Sequence, residues 1–449
     1  MVLKNMKKNV CIKELVIGVI FLLIITSFSS LSVGLIANRH IKPDISNEQT
    51  SGLRGIFFNL KMSFLMKRAK FPSLLACIIE DDEVKWSKGY GFYDLENRKS
   101  ATENTIYNMG SITKTITGTA LMQLWEQGFF DLDEDVNNYL PFSLRNPNFP
   151  DNPITFRMLL SHSSSLNYES GIDGVKYYGW INFSSDPPFE GYPYPWLEEH
   201  LIPGGQWYYS NRWSGTYKPG ELSVYSNVNF DIIAYLVELI SNEPFLDYCS
   251  NHIFQPLEMY RTSFNLSELD IDNVAIPYHY HNYGYLKINE LSYILEEFAP
   301  PDKYWRVHMY PVGGLYTTVS DFSHFLIAHM NGGMYNGVRI LEEDTIEEMH
   351  RIQPPGNMEE GLQYYGLAWI IFKDPLFFNV TISGFSGDTY GVSTWMVYIP
   401  SEKIGAIYFS NGDRQNERNP LLGRLSMIFF LQLLFKKGGF RFFSHIDLF

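Results

Sequence analysis

Polar and apolar residues form strand-like runs near both ends of the chain. The stretch "SLLACIIEDDEVKWSKGYGFYD" (73–94) contains two such runs around an acidic turn, which predicts a pair of strands. Three more runs follow near the other end: "YYGLAWIIF", "GVSTWMVYIP" and "KIGAIYFSNG". Strands at both ends with helical segments between them predict an α+β fold, a sheet that carries a mostly helical inserted region.

Between the strands, apolar residues recur at helical spacing. The segments "GIFFNLKMSFLMKRA" (55–69) and "DIIAYLVELISN" (231–242) both predict helices. The segment "ITFRMLLSHSSSLN" (154–167) predicts a short helix that leads into a serine-rich turn. In "GGLYTTVSDFSHFLIAHMNGG" (313–333) we expect a helix capped by Ser320, because a serine side chain can accept hydrogen bonds from free backbone N–H groups.

The first 37 residues predict a targeting segment. Lysines precede an apolar core, "LVIGVIFLLII" (15–25), and small residues follow it, as is typical of a secretory signal peptide. Residues 15–36 hold no charge, so the segment could equally remain as an uncleaved membrane anchor. In either case the lysines before the apolar run place the rest of the chain outside the cytoplasm.

We divide the remaining chain into a polar tether, 38–54, and one globular domain, 55–449. Of the 449 residues 45% are hydrophobic, which allows a large core. The net charge of −14 argues against a nucleic-acid partner, because binding phosphates requires a Lys/Arg surface. Cys77 and Cys249 are expected to be free buried thiols, since two thiols are too few for a disulfide framework.

Ser111 and Lys114 stand three residues apart at the start of a predicted helix, "YNMGSITKTITGTALMQLWEQG" (107–128), which ends at Gly128. Such residues are neighbours on a helix, with Cβ atoms about 5–6 Å apart, so the amine can reach the hydroxyl. A serine becomes a nucleophile when an adjacent base takes its proton, and a lysine can be that base where its surroundings depress its pKa. The tetrapeptide alone is more typical of a capping serine beside a solvated lysine.

The surroundings of Ser111 resemble the active-serine region of the β-lactamase-related serine hydrolases, which include class C β-lactamases, penicillin-binding D-alanyl carboxypeptidases, D-aminopeptidases and esterases. The likeness continues in the family's order through "ITFRMLLSHSSSL", "KPGELSVYSNVNF", "IFQPLEMYRTSF", "GGLYTTVSDFSHFL" and "YYGLAWIIF". The resemblance implies the β-lactamase/transpeptidase-like fold, an antiparallel sheet flanked by helices. It also implies that Ser111 is the nucleophile and that Lys114 helps to remove its proton.

The family's second motif is Tyr-x-Asn, and "YSN" occurs twice here, at 209–211 and at 225–227. The second copy follows a Pro-Gly turn and precedes an amphipathic helix, as in the family, so we assign Tyr225 and Asn227 to the motif. The resemblance implies that Tyr225 shuttles the serine proton with Lys114. It implies that Asn227 binds the substrate amide or orients the lysine. Tyr209 is either one more aromatic residue of a loop-rich insert or a residue lining the cleft.

The third motif departs from the family pattern. The family has Lys-Thr-Gly or His-x-Gly on the strand beside the serine, and the matching stretch "TISGFSGDTYGVSTWMVYIP" puts Phe385 at the Lys or His position. The resemblance implies that Gly387 and Asp388 line the substrate cleft, with the N–H of Asp388 and that of Ser111 forming an oxyanion hole. Because the replaced side chain helps to bind a substrate carboxylate, we expect β-lactams not to be the main substrates.

Other candidate features are weaker. His279 and His281 in "PYHYHNYGY" have no third ligand in view, so we expect no metal site. His162 is expected to be a structural histidine. The aromatic segment 176–217 is either a lid over the cleft or a packed insert, and the apolar stretch 425–443 is expected to pack on the core.

Together these features predict an extracytoplasmic serine hydrolase that cleaves an ester or amide bond through an acyl-enzyme on Ser111. The substrate would be a small-molecule or peptide acyl compound without a free carboxylate, and no metal or organic cofactor would be required. A weak or specialised peptidase is the next alternative. A catalytically silent penicillin-binding-like protein is the third. The N-terminal segment would leave any of these either secreted or anchored in a membrane.

Overall fold

The computed structural model describes residues 53–167, 196–206, 208–281, 284–290, 310–356, 363–373 and 381–413. The predicted segments 1–37 and 425–443 lie outside the described residues, as do most of the tether and half of the aromatic segment. In the described ranges the α-helices are α1 (Leu53–Ala69), α2 (Thr113–Glu126), α3 (Phe156–Leu160), α4 (Trp196–Leu201), α5 (Val228–Ser241), α6 (Phe245–Cys249), α7 (Tyr310–Gly313), α8 (Val319–Met330) and α9 (Glu343–His350). The strands are β1 (Ser73–Glu80), β2 (Glu83–Asp94), β3 (Lys99–Ser100), β4 (Tyr107–Asn108), β5 (Tyr278–His281), β6 (Gly284–Lys287), β7 (Tyr316–Thr317), β8 (Met334–Tyr335), β9 (Val338–Arg339), β10 (Gln363–Tyr365), β11 (Ile370–Lys373), β12 (Thr381–Thr389), β13 (Val392–Ile399) and β14 (Ile404–Ser410).

Eight of these strands form one sheet in the order β10-β11-β12-β13-β14-β1-β2-β3, and every neighbouring pair is antiparallel. Strand β1 lies inside the sheet, between β2 and β14, with Cys77 opposite Ile407. The helices other than α1 come from the chain between the two groups of strands. The predicted α+β fold, an antiparallel sheet flanked by helices, is confirmed.

The pleat of β1 divides the core into two clusters. Leu75, Cys77 and Ile79 join the large cluster formed with the helices that follow β4. The residues between them face the other way and pack against Met62 and Met66 of α1. Because successive side chains of a strand point to opposite faces, α1 and the other helices lie on opposite sides of the sheet.

Helix α2 is the central helix on the second side of the sheet. Its residues from Thr113 to Leu124 are all buried. A helix buried this completely can carry threonines only if their hydroxyls find acceptors, and Thr117 Oγ1 donates to the carbonyl of Pro311 at 2.6 Å. The helix therefore fixes the residues at its start firmly within the core.

Two predictions on local structure have clear outcomes. The N-cap of α8 is Thr318 and not Ser320, because the hydroxyl of Thr318 accepts the N–H of Asp321 at 3.1 Å, while Ser320 lies in the first turn. The thiols of Cys77 and Cys249 are free and buried, as predicted. Among the helices of the described ranges, none combines the length and the apolar character that crossing a bilayer requires.

Candidate active site

Ser111 lies in a 3₁₀ turn, Gly110–Ile112, directly before α2. The turn needs glycine at position 110, because its φ is +52° and a Cβ there would lie only 3.2 Å from Cα of Gly387. In this described part of the chain the N-cap of α2 is Ile112, without a side-chain cap bond. Ser111 is therefore not the capping serine that the tetrapeptide alone would suggest, and its partly exposed side chain serves other partners.

The amine of Lys114 is fully buried beneath this turn. Its Nζ donates to Oγ of Ser111 at 3.1 Å and to the backbone carbonyl of Val312 at 2.7 Å. It also lies 5.1 Å from the ring centroid of Tyr225. Buried amines need such partners, since burial without hydrogen bonds is strongly unfavourable. The carbonyl of Val312 was invisible to sequence reasoning, because a backbone acceptor leaves no residue-type signal.

Tyr225 approaches the serine from the start of α5. Its Oη lies 2.8 Å from Oγ of Ser111 and 3.3 Å from Oδ1 of Asn227, the N-cap residue of that helix. The other tyrosine of a "YSN" copy, Tyr209, is 51% exposed and its ring packs 5.5 Å from the guanidinium of Arg212. The structure thus brings Tyr225 to the serine.

Strand β12 lies against the turn that carries Ser111. A Cβ on Gly387 would overlap the carbonyl of Met109 and would lie 3.0 Å from the backbone N of Ser111. The backbone N of Asp388 is 3.3 Å from the position a Cβ would take on Gly110. The backbone of β12 at Gly387 and Asp388 therefore lies directly against the turn that carries Ser111.

Phe385 lies two residues before Gly387 on β12, so its side chain points to the same face of the sheet. It is buried in the large cluster on the helical side and stands opposite Met396 of β13. An aromatic side chain thus fills the face of this strand at the position where the resemblance predicts a Lys or His.

His162 holds the segment that carries Tyr225 from both sides. Its carbonyl accepts the N–H of Val224 at 2.8 Å, and its Nδ1 accepts the N–H of Ser226 at 3.1 Å. Its ring lies 4.6 Å from the ring of Tyr225, centroid to centroid. Because Nδ1 is an acceptor, the proton of the neutral ring is on Nε2.

Burial and the nearby charge of Lys114 hold the pKa of His162 well below its ordinary value of 6.5. The ring therefore stays uncharged at neutral pH. A protonated ring would be repelled by the positive charge of Lys114. The sequence predicts only a structural role for His162. Its contact with Tyr225 became visible only when the fold brought the two segments together.

The histidine pair singled out in the sequence lies elsewhere. Nδ1 of His279 contacts Oδ2 of Asp413 at 2.8 Å, and the same carboxylate oxygen accepts the N–H of Gly391 at 2.7 Å. The ring of His281 lies 6.1 Å from that of His279. Within the described ranges, no group of three or more His, Cys, Asp or Glu side chains is arranged to hold a metal ion.

A serine at the start of a buried helix, in contact with a lysine and a tyrosine and flanked by an antiparallel strand, defines a serine-hydrolase or penicillin-binding-protein-like site. Residues 59–426 match the sequence profile of the family described as Beta-lactamase. The chain belongs to this family, and its membership supports a serine hydrolase or penicillin-binding-protein-like function.

Two relatives with curated names are similar over most of this chain. Protein flp of Staphylococcus aureus is 22% identical over 351 residues, which cover 77% of this chain and 61% of that protein. Beta-lactamase-like protein 1 of Dictyostelium discoideum is 26% identical over 434 residues, covering 77% of this chain and 64% of that protein. The chain thus spans less than two thirds of either relative.

Solved structures show the same fold. The octameric penicillin-binding protein homologue from Pyrococcus abyssi superposes with a TM-score of 0.63 at 25% identity, covering 84% of this chain and 78% of that one. The penicillin binding protein from Bacillus halodurans gives a TM-score of 0.61 at 17% identity, over 83% of this chain and all of that chain. The second likeness concerns the fold alone.

Proposed function

We propose that the protein is an extracytoplasmic serine hydrolase that cleaves an ester or amide bond through an acyl-enzyme on Ser111. The observation that carries the proposal is the convergence of two proton carriers on one hydroxyl. Oγ of Ser111 lies 3.1 Å from Nζ of Lys114 and 2.8 Å from Oη of Tyr225. A weak nucleophile next to such groups has the arrangement expected of covalent catalysis.

In the proposed reaction, Oγ of Ser111 attacks the substrate carbonyl carbon while its proton passes to the Lys114–Tyr225 pair. The negative charge that forms on the carbonyl oxygen accepts hydrogen bonds from the N–H groups of Ser111 and Asp388. The bond to the leaving group then breaks, and the leaving group takes the proton from the pair. Water attacks the acyl-enzyme by the same route, and its proton returns the serine to the hydroxyl form.

The substrate class follows from Phe385. This buried aromatic side chain offers neither charge nor hydrogen bond where the family has a Lys or His. A substrate with a free carboxylate at that position would lose its water without gaining a partner, which is costly. We therefore propose acyl substrates without a carboxylate next to the reacting carbonyl.

The same residue favours a second function. A catalytically silent penicillin-binding-like protein that only binds its ligand would also tolerate Phe385, and two similar solved chains carry penicillin-binding names. The two functions differ in whether Ser111 is activated. The hydrolase requires Ser111 for turnover, whereas the binding protein would hold its ligand equally well without that hydroxyl.

Intact-mass analysis of the full chain after treatment with a fluorophosphonate separates the two. We expect one adduct that is lost in Ser111→Ala and kept in Ser320→Ala, a matched control at an exposed serine. Hydrolysis of ester and peptide libraries would then identify the acyl group. Absence of any adduct from a folded chain would overturn the hydrolase proposal and favour the binding protein.

A further inference from the structure

Helix α1 presents apolar side chains on two opposite faces. Met62 and Met66 are buried against the sheet. On the other side, Ile56, Leu60 and Phe64 are 51%, 60% and 53% exposed. Residues four apart lie on one helix face, so these three side chains form a continuous apolar stripe directed to solvent.

A stripe of this kind is unusual on a helix that already buries a face. The outer side of such a helix is normally polar, because only the inner side has a core to pack against. Single exposed apolar residues need no explanation, but a row of three large ones marks a surface that binds something.

The charges of α1 indicate what it binds. The helix contains Arg54, Lys61, Lys67 and Arg68 and no Asp or Glu, although the whole chain has a net charge of −14. At about 100° per residue, Lys67 lies along the stripe, whereas Lys61 and Arg68 lie on one side of it. Both lysines and Arg68 are exposed.

We propose that α1 lies on the surface of an anionic lipid bilayer. Ile56, Leu60 and Phe64 enter the boundary between headgroups and acyl chains, while the side chains of Lys61, Lys67 and Arg68 reach the lipid phosphates. Long basic side chains suit this place because their stems cover apolar surface while their charges stay in water.

The position of α1 in the chain supports the same occupant. The sequence before it includes residues 15–36, which hold no charged side chain and are long enough to span a bilayer. An interfacial helix that follows an apolar segment gives a second contact, and two weak contacts on one chain hold far better than one. The proposal is independent of the serine chemistry.

The fold makes this contact compatible with an open active site. Helix α1 packs on the face of the sheet opposite to the one that carries α2 and Ser111. A bilayer against α1 would therefore lie on the far side of the sheet from the serine.

Nitroxide accessibility in the full chain tests the proposal. The chain with Cys11→Ser is reconstituted into vesicles of phosphatidylglycerol and phosphatidylcholine and labelled at Leu60→Cys or Phe64→Cys. Cys77 and Cys249 are fully buried and stay unlabelled in the folded chain. The control label is at Tyr260→Cys, because Tyr260 is 77% exposed. Its neighbour Arg261 is held to α8 by a hydrogen bond from its backbone N–H to Asp321, so the control site lies on the helical side of the sheet.

We expect labels at 60 and 64 to collide more with oxygen, which concentrates in lipid, and the label at 260 to collide more with a water-soluble nickel chelate. Labels at 60 and 64 that behave like the one at 260 would overturn the proposal. So would protection from both reagents, which would indicate cover by protein. The double variant Lys61→Glu/Lys67→Glu should lose the preference for oxygen, and an unchanged preference would overturn the role of anionic lipid.

Discussion

Two groups of buried polar side chains lie along helix α2, and they differ in what they converge on. At its start, Lys114 and Tyr225 both reach Oγ of Ser111, which is partly exposed. About two turns further on, Oγ1 of Thr119 lies 3.2 Å from Nε2 of His329, whose Nδ1 lies 3.3 Å from Nε2 of His350.

The second group stays inside the core. His329 is buried and His350 is half-buried, and their rings pack around Trp369, at 4.8 Å and 4.4 Å between centroids. These contacts join α2, α8 and α9 to the sheet. Both groups contain buried polar side chains, so burial does not separate them. Convergence of proton carriers on an atom that a substrate can reach is what distinguishes the first group.

The largest expected effect comes from removing the cation of the first group. In Lys114→Met the long apolar stem still fills the buried space, but the serine loses a proton carrier. We expect the rate of fluorophosphonate labelling to fall about 10²–10⁴-fold, the usual contribution of a positioned acid or base. The matched control Thr119→Val, on the same helix, should cost about 1 kcal/mol of stability and leave labelling unchanged. Equal rates in both variants would contradict the distinction.

Variants of His162 test whether a buried histidine acts through Tyr225. His162→Leu removes the acceptor for the N–H of Ser226, at about 1–3 kcal/mol, and strains a backbone whose φ is +57°. His162→Asn tolerates that backbone and offers a side-chain oxygen near the place of Nδ1. We expect denaturant unfolding to show the loss in His162→Leu and its partial recovery in His162→Asn.

The same pair should differ in activity. Labelling of Ser111 should slow in His162→Leu and recover in His162→Asn. The pH profile of labelling should stay that of the native chain near neutral pH, because the ring of His162 is already neutral in that range. A His162→Asn variant that is stable but as slow as His162→Leu would show that the acceptor at Nδ1 does not position Tyr225.

Acid should weaken the fold through three histidines, His162 beside the first group and His329 and His350 of the second. Burial lowers the pKa of His350 from 6.5 to about 3 and holds those of His329 and His162 well below 6.5. As the pH falls below 6.5 the unfolded chain binds protons that the folded chain does not, so the free energy of unfolding decreases until the folded pKa is reached. Each histidine contributes up to about 1.4 kcal/mol per pH unit. The free energy of unfolding, measured with urea at several pH values between 7 and 5, should fall less steeply with decreasing pH in His350→Gln than in the native chain.

The smallest expected effect concerns substrate choice. Phe385→His restores a polar side chain at the position where the family binds a carboxylate. One hydrogen bond to a charged group gives roughly a tenfold gain for acyl substrates that carry a free carboxylate. Phe385→Leu is the control, because it also disturbs the buried site but adds no partner. The gain is measured by competition between two ester substrates, one with a free carboxylate and one with a carboxamide in its place. The gain should be absent in the control.

Much of the local structure around the serine was predictable. Helical periodicity after Ser111 and the stop at Gly128 anticipate α2, which ends at Glu126, and the acidic turn inside 73–94 anticipates the β1–β2 hairpin. These patterns work because burial of one side of an element repeats with the period of that element.

The contacts that link distant segments were not predictable. The carbonyl of Val312 beneath Lys114 and the bond from Ser226 to His162 join residues far apart in sequence, and one of the partners is backbone in each case. The cap of α8 was misassigned because "TTVS" offers three hydroxyls and only backbone geometry selects Thr318. Likewise, the pattern of α1 predicts a helix but does not reveal which of its two apolar faces is buried.

The place of β1 inside the sheet has a consequence for how the chain acquires its fold. The N–H of Ser73, at the start of β1, donates to Oδ1 of Asn411 across 338 residues. The hairpin of β1 and β2 is therefore synthesised early. The edge of β1 that pairs with β14 stays exposed until nearly the whole chain has been synthesised. Such late, long-range pairing slows folding and leaves a strand edge open to wrong partners. Loss of β14 would split the sheet in its interior, separating β1, β2 and β3 from the strands that flank the serine.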